Sequence, residues 1–269
     1  MEDKEFSEII SIITKQTGII PRESHKVGIM NFIDKREKEI NLNGLPYSAY
    51  LRINKEELNV FLNAATVNET YFFREEAQFT FLKDKVLPEL RASMGSTPIR
   101  IWSAASSSGE EIYSLYLLAA SLGCKTECIA SDINTAVLDK CAKGEYTPNS
   151  VKAVDGAKFH YLLSKYIKAD KSVSFPPEIC KQIERKQINL SFVAESFPRK
   201  VNVIFIRNVF IYFTMEMRKQ ILEKIVKESL ADGGYIFVSM SELPSLEASI
   251  IPKSLEKCSD GKVFYFKKK

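Results

Sequence analysis

The sequence predicts an α/β protein in which an all-helical N-terminal domain precedes a doubly wound, mostly parallel sheet. Apolar residues recur at helical spacing through residues 1–92, whereas short apolar strand patterns alternate with helical patterns from residue 99 onwards. Such alternation is typical of a parallel sheet that helices cover on both faces. We therefore expect two domains, residues 1–92 and 93–269, with residues 95–98 as the connecting segment.

Four helices are expected in the N-terminal domain. The apolar side chains of the first recur at helical spacing: Phe6, Ile9, Ile10 and Ile13. That helix ends before Gly18, and a second helix covers residues 25–42. A third begins at Asn54, with Glu57 three residues on as in a capping box. A fourth follows Arg74.

The second domain is expected to alternate strands and helices. The predicted strands are residues 99–105, 127–132, 185–191, 202–207 and 234–240, and the predicted helices are residues 110–122, 134–143 and 215–230. Residues 262–266 look like a closing, antiparallel strand. The stretch 146–185 fits neither pattern, so we expect a small β insertion there, with a helix near residues 159–166 and a hairpin near residues 172–177.

The bulk composition restricts the function classes. A net charge of +4 on 269 residues does not require a nucleic-acid partner, and none is expected. Apolar runs fall far short of the roughly 20 residues of a membrane span, and the charged N-terminus does not resemble a signal peptide. Five cysteines without C-x-x-C spacing favour a reduced, cytoplasmic setting. With two histidines in the chain, we expect neither a histidine metal site nor a catalytic triad.

The strand at residues 99–105 leads through five tiny residues, 105–109, into the next helix. Small side chains let a ligand approach the backbone closely, and the helix N-terminus offers unpaired N–H groups. Glu110 and Glu111 follow where a pyrophosphate would otherwise bind, which favours a ligand with hydroxyls and positive charge. Alternatively, either acid is simply favourable in the first turn of a helix.

Further polar residues stand where strands or helices begin and end. Asp132 closes the second strand, where an acid typically accepts hydrogen bonds from ribose hydroxyls; its alternative role is a helix N-cap. Arg207 and Asn208 follow an apolar strand, where open sheets bind ligands, although surface placement is the alternative. The fourth helix is preceded by Asn68, Thr70 and Arg74. These residues form either part of a binding site or the capped start of that helix.

Four basic residues lie in or near the second helix: Lys26, Lys35, Arg36 and Lys38. They form either a solvated helix face or a docking surface for an acidic helix.

Taken together, several segments resemble the chemotaxis-receptor methyltransferase (CheR-type) family. The resemblance is carried by Asn68-x-Thr70-x-Phe72-Phe73-Arg74, Trp102-Ser-Ala-Ala-Ser-Ser-Ser-Gly-Glu-Glu111, Ala130-Ser-Asp-Ile133, Asn189-Leu190, Arg207-Asn-Val-x-Ile-Tyr-Phe213 and Gly233-Gly-Tyr…Ser241-Glu242. It implies a helical N-terminal domain and a Rossmann-like methyltransferase domain. The small β insertion of the family, which contacts the receptor, would correspond to residues 146–185.

The resemblance also implies the reaction and the site. The family methylates glutamate side chains on receptor helices with S-adenosylmethionine, which leaves S-adenosylhomocysteine. The residues that would line the cofactor site are Asn68, Thr70, Arg74, Glu111, Asp132, Asn189, Leu190, Arg207 and Asn208. Tyr212 matches a tyrosine near the transferred methyl group, and Arg74, Arg207 and Tyr212 are the candidates for holding the attacking carboxylate. A glutamate is already ionised at neutral pH, so no general base and no metal are expected.

The resemblance implies methyl-accepting chemotaxis receptors as partners. The chain would then be a cytoplasmic monomer that meets the membrane only through the receptor. Two alternatives stay open from the residues. One is a non-catalytic regulator that binds S-adenosylmethionine, and the other is a methyltransferase that acts on another substrate.

Overall fold

The structure, a computed structural model, describes residues 3–66 and 68–269. Its strands are β1 Ile99–Ser103, β2 Thr126–Asp132, β3 Glu145–Tyr146, β4 Val173–Ser174, β5 Ile183–Gln187, β6 Val201–Phe205, β7 Leu230–Phe237, β8 Leu255–Asp260 and β9 Val263–Lys268. Seven of them form the main sheet in the order β5-β2-β1-β6-β7-β9-β8. The first five in that order are parallel, and β9 runs antiparallel to both of its neighbours.

Helices cover both faces of this sheet. They are α1 Asp3–Thr17, α2 Glu23–Glu39, α3 Tyr47–Ile53, α4 Lys55–Ala65, α5 Glu76–Phe81, α6 Leu87–Met94, α7 Glu110–Ser121, α8 Thr135–Lys143, α9 Pro177–Cys180 and α10 Met215–Lys224. Apolar residues of α5, α6 and α7 share one buried cluster with the sheet, and those of α10 share the cluster on its other face. The predicted fold class, a helical N-terminal region before a Rossmann-like sheet, is confirmed.

A separate buried cluster holds α1 to α4 together through side chains such as Ile13, Ile33 and Phe61. Next to it, the Arg36 guanidinium binds both carboxylate oxygens of Glu57 at 3.0 and 2.8 Å. Arg36 is therefore engaged with Glu57, while Lys35 and Lys38 are exposed, so both alternatives for this face, solvated or docking, stay predictions. The division of the chain at residue 92 stays a prediction, although this position falls within α6, Leu87–Met94, which packs with the sheet.

The predicted N-terminal helices are found, with shifted ends and one addition. Asn54 caps α4 by accepting a hydrogen bond from the Glu57 backbone N–H at 2.9 Å, as expected. The Glu57 carboxylate does not complete the capping box, because it binds Arg36 and the Tyr47 hydroxyl instead. The short helix α3 was not predicted. The fourth predicted helix is α5 and α6 joined by a π-helical turn at Leu82–Val86.

Three predictions about the sheet need correction. The third strand was expected at residues 185–191, but β5 ends at Gln187 because the chain then turns at Asn189, whose Oδ1 accepts from the Ser191 N–H. The last predicted helix, residues 215–230, is found as α10 continued by a π-helical turn at Ile225–Ser229, but β7, expected at residues 234–240, begins at Leu230. Strand β8 was missed, since a single buried residue, Leu255, leaves this edge strand without an alternating pattern.

The insertion lies between α8 and β5. Its strands β3 and β4 are two residues long and pair antiparallel, which agrees with a small β insertion. A 3₁₀ helix at Ala157–Leu162 takes the place of the predicted helix near residues 159–166. A hairpin precedes and includes β4, and its glycine-free turn is made by Lys171, which adopts a left-handed φ of 64°. In the described part of the chain, no helix is long and apolar enough to cross a membrane.

Candidate active site

A cleft opens at the carboxyl ends of β1, β2, β5 and β6, where the order of the strands reverses. Open α/β sheets bind ligands at this switch point. The cleft encloses about 960 Å³ of space, part of it open to solvent. It is lined by all ten residues that the family resemblance assigns to the site: Asn68, Thr70, Arg74, Glu111, Asp132, Asn189, Leu190, Arg207, Asn208 and Tyr212.

Asp132 and the turn after β1 form one part of the cleft, which we call the Asp132 cradle (Ala105, Ser107, Asp132 and Asn134). The Asp132 carboxylate accepts the backbone N–H groups of Ser107 at 2.9 Å and Asn134 at 3.0 Å. Burial raises the pKa of this carboxyl, and the backbone donors partly oppose that shift. Each carboxylate oxygen keeps a further lone pair for a hydroxyl of a bound ligand.

The alternative role of Asp132, a helix N-cap, is wrong. The cap of α8 is Asn134, whose side-chain oxygen accepts the Val137 backbone N–H at 3.2 Å. Asp132 is thus left to organise the cradle, and Asn134 also donates to the Asn63 carbonyl at 2.9 Å.

Small residues replace glycines in the turn after β1. Ser107 takes a left-handed φ of 48°, and its hydroxyl donates to the Asn68 carbonyl at 3.1 Å. Gly109, at φ 98°, does not line the cleft. A Cβ there would lie 2.5 Å from the Cys141 sulfur, so this glycine is required by packing.

Glu111 and Arg207 form a buried ion pair within a second part of the cleft, the Arg74 cluster (Arg74, Glu111, Arg207, Asn208 and Tyr212). The Arg207 Nε donates to Glu111 Oε2 at 2.6 Å, and its Nη1 donates to the Arg74 carbonyl at 2.8 Å and to Gln78. The Arg207 side chain is 2% exposed, so the predicted alternative of surface placement is wrong. Glu110, by contrast, lies outside the cleft and binds Ser108 and Ser150.

Arg74 lies in the cleft wall with its guanidinium over an aromatic ring. Its Cζ is 5.5 Å from the centroid of the Tyr71 ring, and its Nη1 donates to the Glu69 carbonyl at 3.0 Å. Cation–π contact and one carbonyl orient the charge without neutralising it. Arg207, in contrast, is paired with a carboxylate.

A buried carboxylate holds the loop that carries Asn208 and Tyr212. Glu242, which is fully buried, accepts the backbone N–H groups of Asn208 at 2.6 Å and Ile211 at 3.2 Å. Burial raises the pKa of Glu242. Asn208 itself has a left-handed φ of 57°, and its side chain donates to Ser239. In the sequence, Ser241-Glu242 stands out only as part of a motif. Spacing does not predict that Glu242 holds this loop through its backbone N–H groups.

Helices α1 and α2 and the loop between them supply part of the cleft wall, which the sequence did not predict. These wall residues are Thr17, Ile19, Pro21 and His25. The Asn189 side chain donates to the Gln16 carbonyl at 2.9 Å, and the Ser191 hydroxyl donates to the Thr17 carbonyl at 3.0 Å. A Cβ on Gly18 would lie 2.5 Å from the Ser191 Cβ, so Gly18 permits this close approach as well as ending α1.

Left-handed residues other than glycine gather around the site. They are Phe73, Glu75, Ser107 and Asn208, with φ between 48° and 61°. Such conformations cost on the order of 1–3 kcal/mol each and persist where the surroundings enforce them. Here each follows or lies within a segment that lines the cleft.

The sequence model described as "CheR methyltransferase, SAM binding domain" matches residues 68–255. This chain belongs to the CheR methyltransferase family. Among its relatives is chemotaxis protein methyltransferase 2 of Vibrio cholerae serotype O1, which is 35% identical over 261 residues, 92% of this chain and 88% of the relative. The chemotaxis protein methyltransferase of Escherichia coli K12 is 30% identical over 250 residues, 90% of this chain and 85% of the relative.

The relative from Salmonella typhimurium, also described as a chemotaxis protein methyltransferase, is 30% identical over 252 residues, 90% of this chain and 84% of the relative. Family membership gives the cofactor of this CheR-family chain as S-adenosylmethionine and its reaction type as methyl transfer. The cleft suits that cofactor, because Asp132 presents a buried carboxylate to hydroxyls, whereas the Glu111 carboxylate is already paired with Arg207.

Proposed function

We propose that this protein methylates glutamate side chains on the cytoplasmic helices of chemotaxis receptors, giving glutamyl methyl esters and S-adenosylhomocysteine. The observation that carries the proposal is the convergence of ten residues, from segments up to 144 positions apart (68 to 212), on one cleft. The matching relatives, all described as chemotaxis methyltransferases, support the receptor as the substrate.

Asp132 is the residue to which we assign the cofactor's ribose. Its two oxygens are already oriented by the Ser107 and Asn134 N–H groups, so binding two hydroxyls requires no rearrangement of the carboxylate. Leu190, buried at the cleft wall, offers an apolar surface for the adenine, and Asn189 lies beside it. Asn68 and Thr70 complete the assigned cofactor contacts.

Arg74 is the residue that we assign to the attacking carboxylate. S-adenosylmethionine, when bound, supplies an electrophilic methyl group on a sulfonium. Arg207 is less suited to the substrate, because Glu111 already takes its Nε and Arg74 and Gln78 take its Nη1. Its assigned role is to fix Glu111 and the Arg74 backbone, while the Tyr212 hydroxyl closes the cleft beside the reacting groups.

No proton has to be removed from a glutamate substrate at neutral pH, because its reference pKa is about 4.3. The residues of the cleft therefore act by orienting the carboxylate and by excluding water. Burial raises the pKa of Tyr212, so its hydroxyl stays protonated and can donate a hydrogen bond. An arginine on an aromatic ring attracts the carboxylate without making it too weak a nucleophile.

The proposal places the chain in the cytoplasm as a monomer, bound to the membrane only through its receptor and without a nucleic-acid partner. The two domains, residues 1–92 and 93–269, would meet at the cleft. The insertion between α8 and β5 would contact the receptor.

The decisive experiment uses purified protein, S-adenosylmethionine labelled on the methyl group, and membranes that carry receptors from the source organism. We expect labelled receptor whose label is released as methanol in mild alkali, since an ester is cleaved there. A receptor variant whose candidate glutamates are replaced by alanine should take up no label.

Two outcomes would contradict the proposal. Alkali-stable label on the receptor would mean methylation of another group, such as an amine. Tight binding of S-adenosylhomocysteine without transfer to any receptor would instead favour the non-catalytic regulator.

A further inference from the structure

One carboxylate of the insertion, that of Asp155, binds the segment that contains Arg74. Its Oδ2 accepts the Tyr71 hydroxyl and the Glu75 backbone N–H, both at 2.8 Å, and its Oδ1 accepts the Glu76 N–H at 3.0 Å. Although burial opposes it, this set of donors lowers the pKa of Asp155, so the group is ionised at neutral pH. A single side chain of the insertion thus binds three donors on the segment that contains Arg74.

The backbone of the insertion follows the same segment closely. The Phe72 N–H donates to the Ser150 carbonyl at 2.9 Å, and the Lys158 N–H donates to the Glu76 carboxylate at 2.9 Å. A Cβ at Gly156 would lie 2.7 Å from the Phe72 carbonyl oxygen. The two segments are therefore in close backbone contact.

Tyr71 connects Asp155 to the Arg74 guanidinium. Arg74 Cζ and the Lys152 Nζ each lie 5.5 Å from the centroid of the Tyr71 ring. Because the hydroxyl of that ring is fixed by Asp155, the plane on which the Arg74 charge rests is fixed as well.

Glu75 connects Asp155 to Arg207. Its backbone, at φ 61°, is held in the left-handed region by the hydrogen bond to Asp155. Its carboxylate accepts from the Ser239 hydroxyl and the Met240 N–H, and it lies 3.6 Å from Arg207 Nη1. Both arginines of the site thus depend on the same anchor.

We propose that Asp155 is a positioning residue for methyl transfer, which fixes Arg74 through Tyr71 and Arg207 through Glu75 from within the insertion. This inference rests on the proposed function. It gives the insertion a part in organising the site in addition to any contact with a receptor. A purely structural alternative is that Asp155 only caps α5.

The test compares Asp155→Asn, Tyr71→Phe, the double variant and Asp139→Asn with the wild-type protein. Asp139 is the control, since its side chain is exposed on α8, outside both the cleft and the insertion, and Asp139→Asn should keep wild-type kcat. The measurements are kcat at saturating cofactor and receptor, the affinity for S-adenosylhomocysteine by calorimetry, and amide hydrogen exchange of residues 71–76.

We expect Asp155→Asn to lower kcat about tenfold, because small displacements of a positioning group have large effects on rate. The affinity for S-adenosylhomocysteine should fall less than about threefold, and exchange at residues 75 and 76 should accelerate. Tyr71→Phe leaves both backbone hydrogen bonds to Asp155 in place, so it should lower kcat without faster exchange. The double variant should be no slower than Asp155→Asn, because both changes break one chain of contacts.

If Asp155→Asn has faster amide exchange but wild-type kcat, Asp155 only caps α5, and the inference is overturned. If Asp155→Asn does not fold, Tyr71→Phe decides, and wild-type kcat in that variant would overturn it equally. A wild-type protein that methylates no receptor would overturn the proposed function as well, whereas an active wild type with an equally active Asp155→Asn would overturn this inference alone.

Discussion

The Asp132 cradle and the Arg74 cluster occupy one cleft but are built in different ways. In the cradle, Asp132 is held by backbone N–H groups of two turns that follow neighbouring strands, β1 and β2. In the Arg74 cluster, side chains hold one another across the fold: Arg207 binds Glu111, 96 positions away, and the carbonyl of Arg74, 133 positions away.

This difference predicts how the two parts respond to substitution. Backbone donors stay in place when a neighbouring side chain changes, so damage in the cradle should be confined to ligand affinity. A side-chain network loses several contacts together, because its members support one another. We therefore expect cradle variants to change binding, and variants of the Arg74 cluster to change kcat.

The largest effect is expected for Arg74→Ala. Removing the charge that we assign to orienting the attacking carboxylate should lower kcat about a hundredfold, a loss typical of one preorganised donor. The affinity for S-adenosylhomocysteine, measured by calorimetry, should change far less. Arg74→Lys should be intermediate, since an ammonium keeps the charge but not the planar contact with Tyr71.

The control for this change is Arg91→Ala. Arg91 is an exposed arginine that also donates to a carbonyl, that of Leu122 at 2.6 Å, outside the cleft. It should have wild-type kcat. A loss of affinity as large as the loss of kcat in Arg74→Ala would erase the distinction between the cradle and the cluster.

Asp132→Ala tests the cradle. A hydrogen bond to a charged group contributes about 1.5–3 kcal/mol, so losing two to ribose hydroxyls should weaken cofactor binding tenfold or more. The kcat at saturating cofactor should fall much less. The exposed Asp139 on the following helix gives the matched control Asp139→Asn, for which calorimetry should give wild-type affinity.

Local patterns in the sequence were enough to find the cradle. The strand, the run of small residues and the acid 23 positions after Gly109 lie close in sequence, and the parallel order of β1 and β2 brings them together. The same holds for the α/β fold class and for most strands. Strand β8 could not be found from a local pattern, because it lies at the edge of the sheet with little buried surface.

The supports of the Arg74 cluster could not be found in this way. These supports are carboxylates that accept backbone N–H groups distant in sequence: Glu242 accepts that of Asn208, Glu75 that of Met240, and Asp155 that of Glu75. Asn208 and Glu75 also have a left-handed φ. No spacing rule encodes such contacts. The cleft-wall residues of α1, α2 and the loop between them were also missed. The packing of the N-terminal helices against the sheet leaves no periodic pattern in the sequence.

Glu242→Gln should have a smaller effect than either change above. The amide can accept only one of the two N–H bonds from Asn208 and Ile211, which costs about 1–3 kcal/mol for the other. Burial raises the pKa of Glu242, so a neutral side chain also relieves a desolvation cost. We expect the lost hydrogen bond and the relieved desolvation to offset each other in the free energy of unfolding, so thermal unfolding should change little. In contrast, kcat should fall several-fold.

Glu247→Gln, at an exposed position nearby, is the control for that change. A Glu242→Gln variant with wild-type kcat would show that the loop of Asn208 and Tyr212 keeps its geometry without the clamp. The Arg74 cluster would then depend less on distant side chains than its difference from the Asp132 cradle predicts.

The smallest expected effect is that of pH on kcat. A carboxylate nucleophile is fully ionised from about pH 6 upwards, so kcat at saturating cofactor should change less than about twofold between pH 6 and 8.5. Tyr212 adds no slope in this range, since burial raises its pKa and keeps its hydroxyl protonated. His25 makes the measurement informative, because it lines the cleft and a histidine that acted as a general base would make the rate rise with pH. The same flat shape is expected of His25→Gln. A rise that disappears in His25→Gln would instead assign a proton transfer to this histidine and point to a substrate that is not ionised at neutral pH.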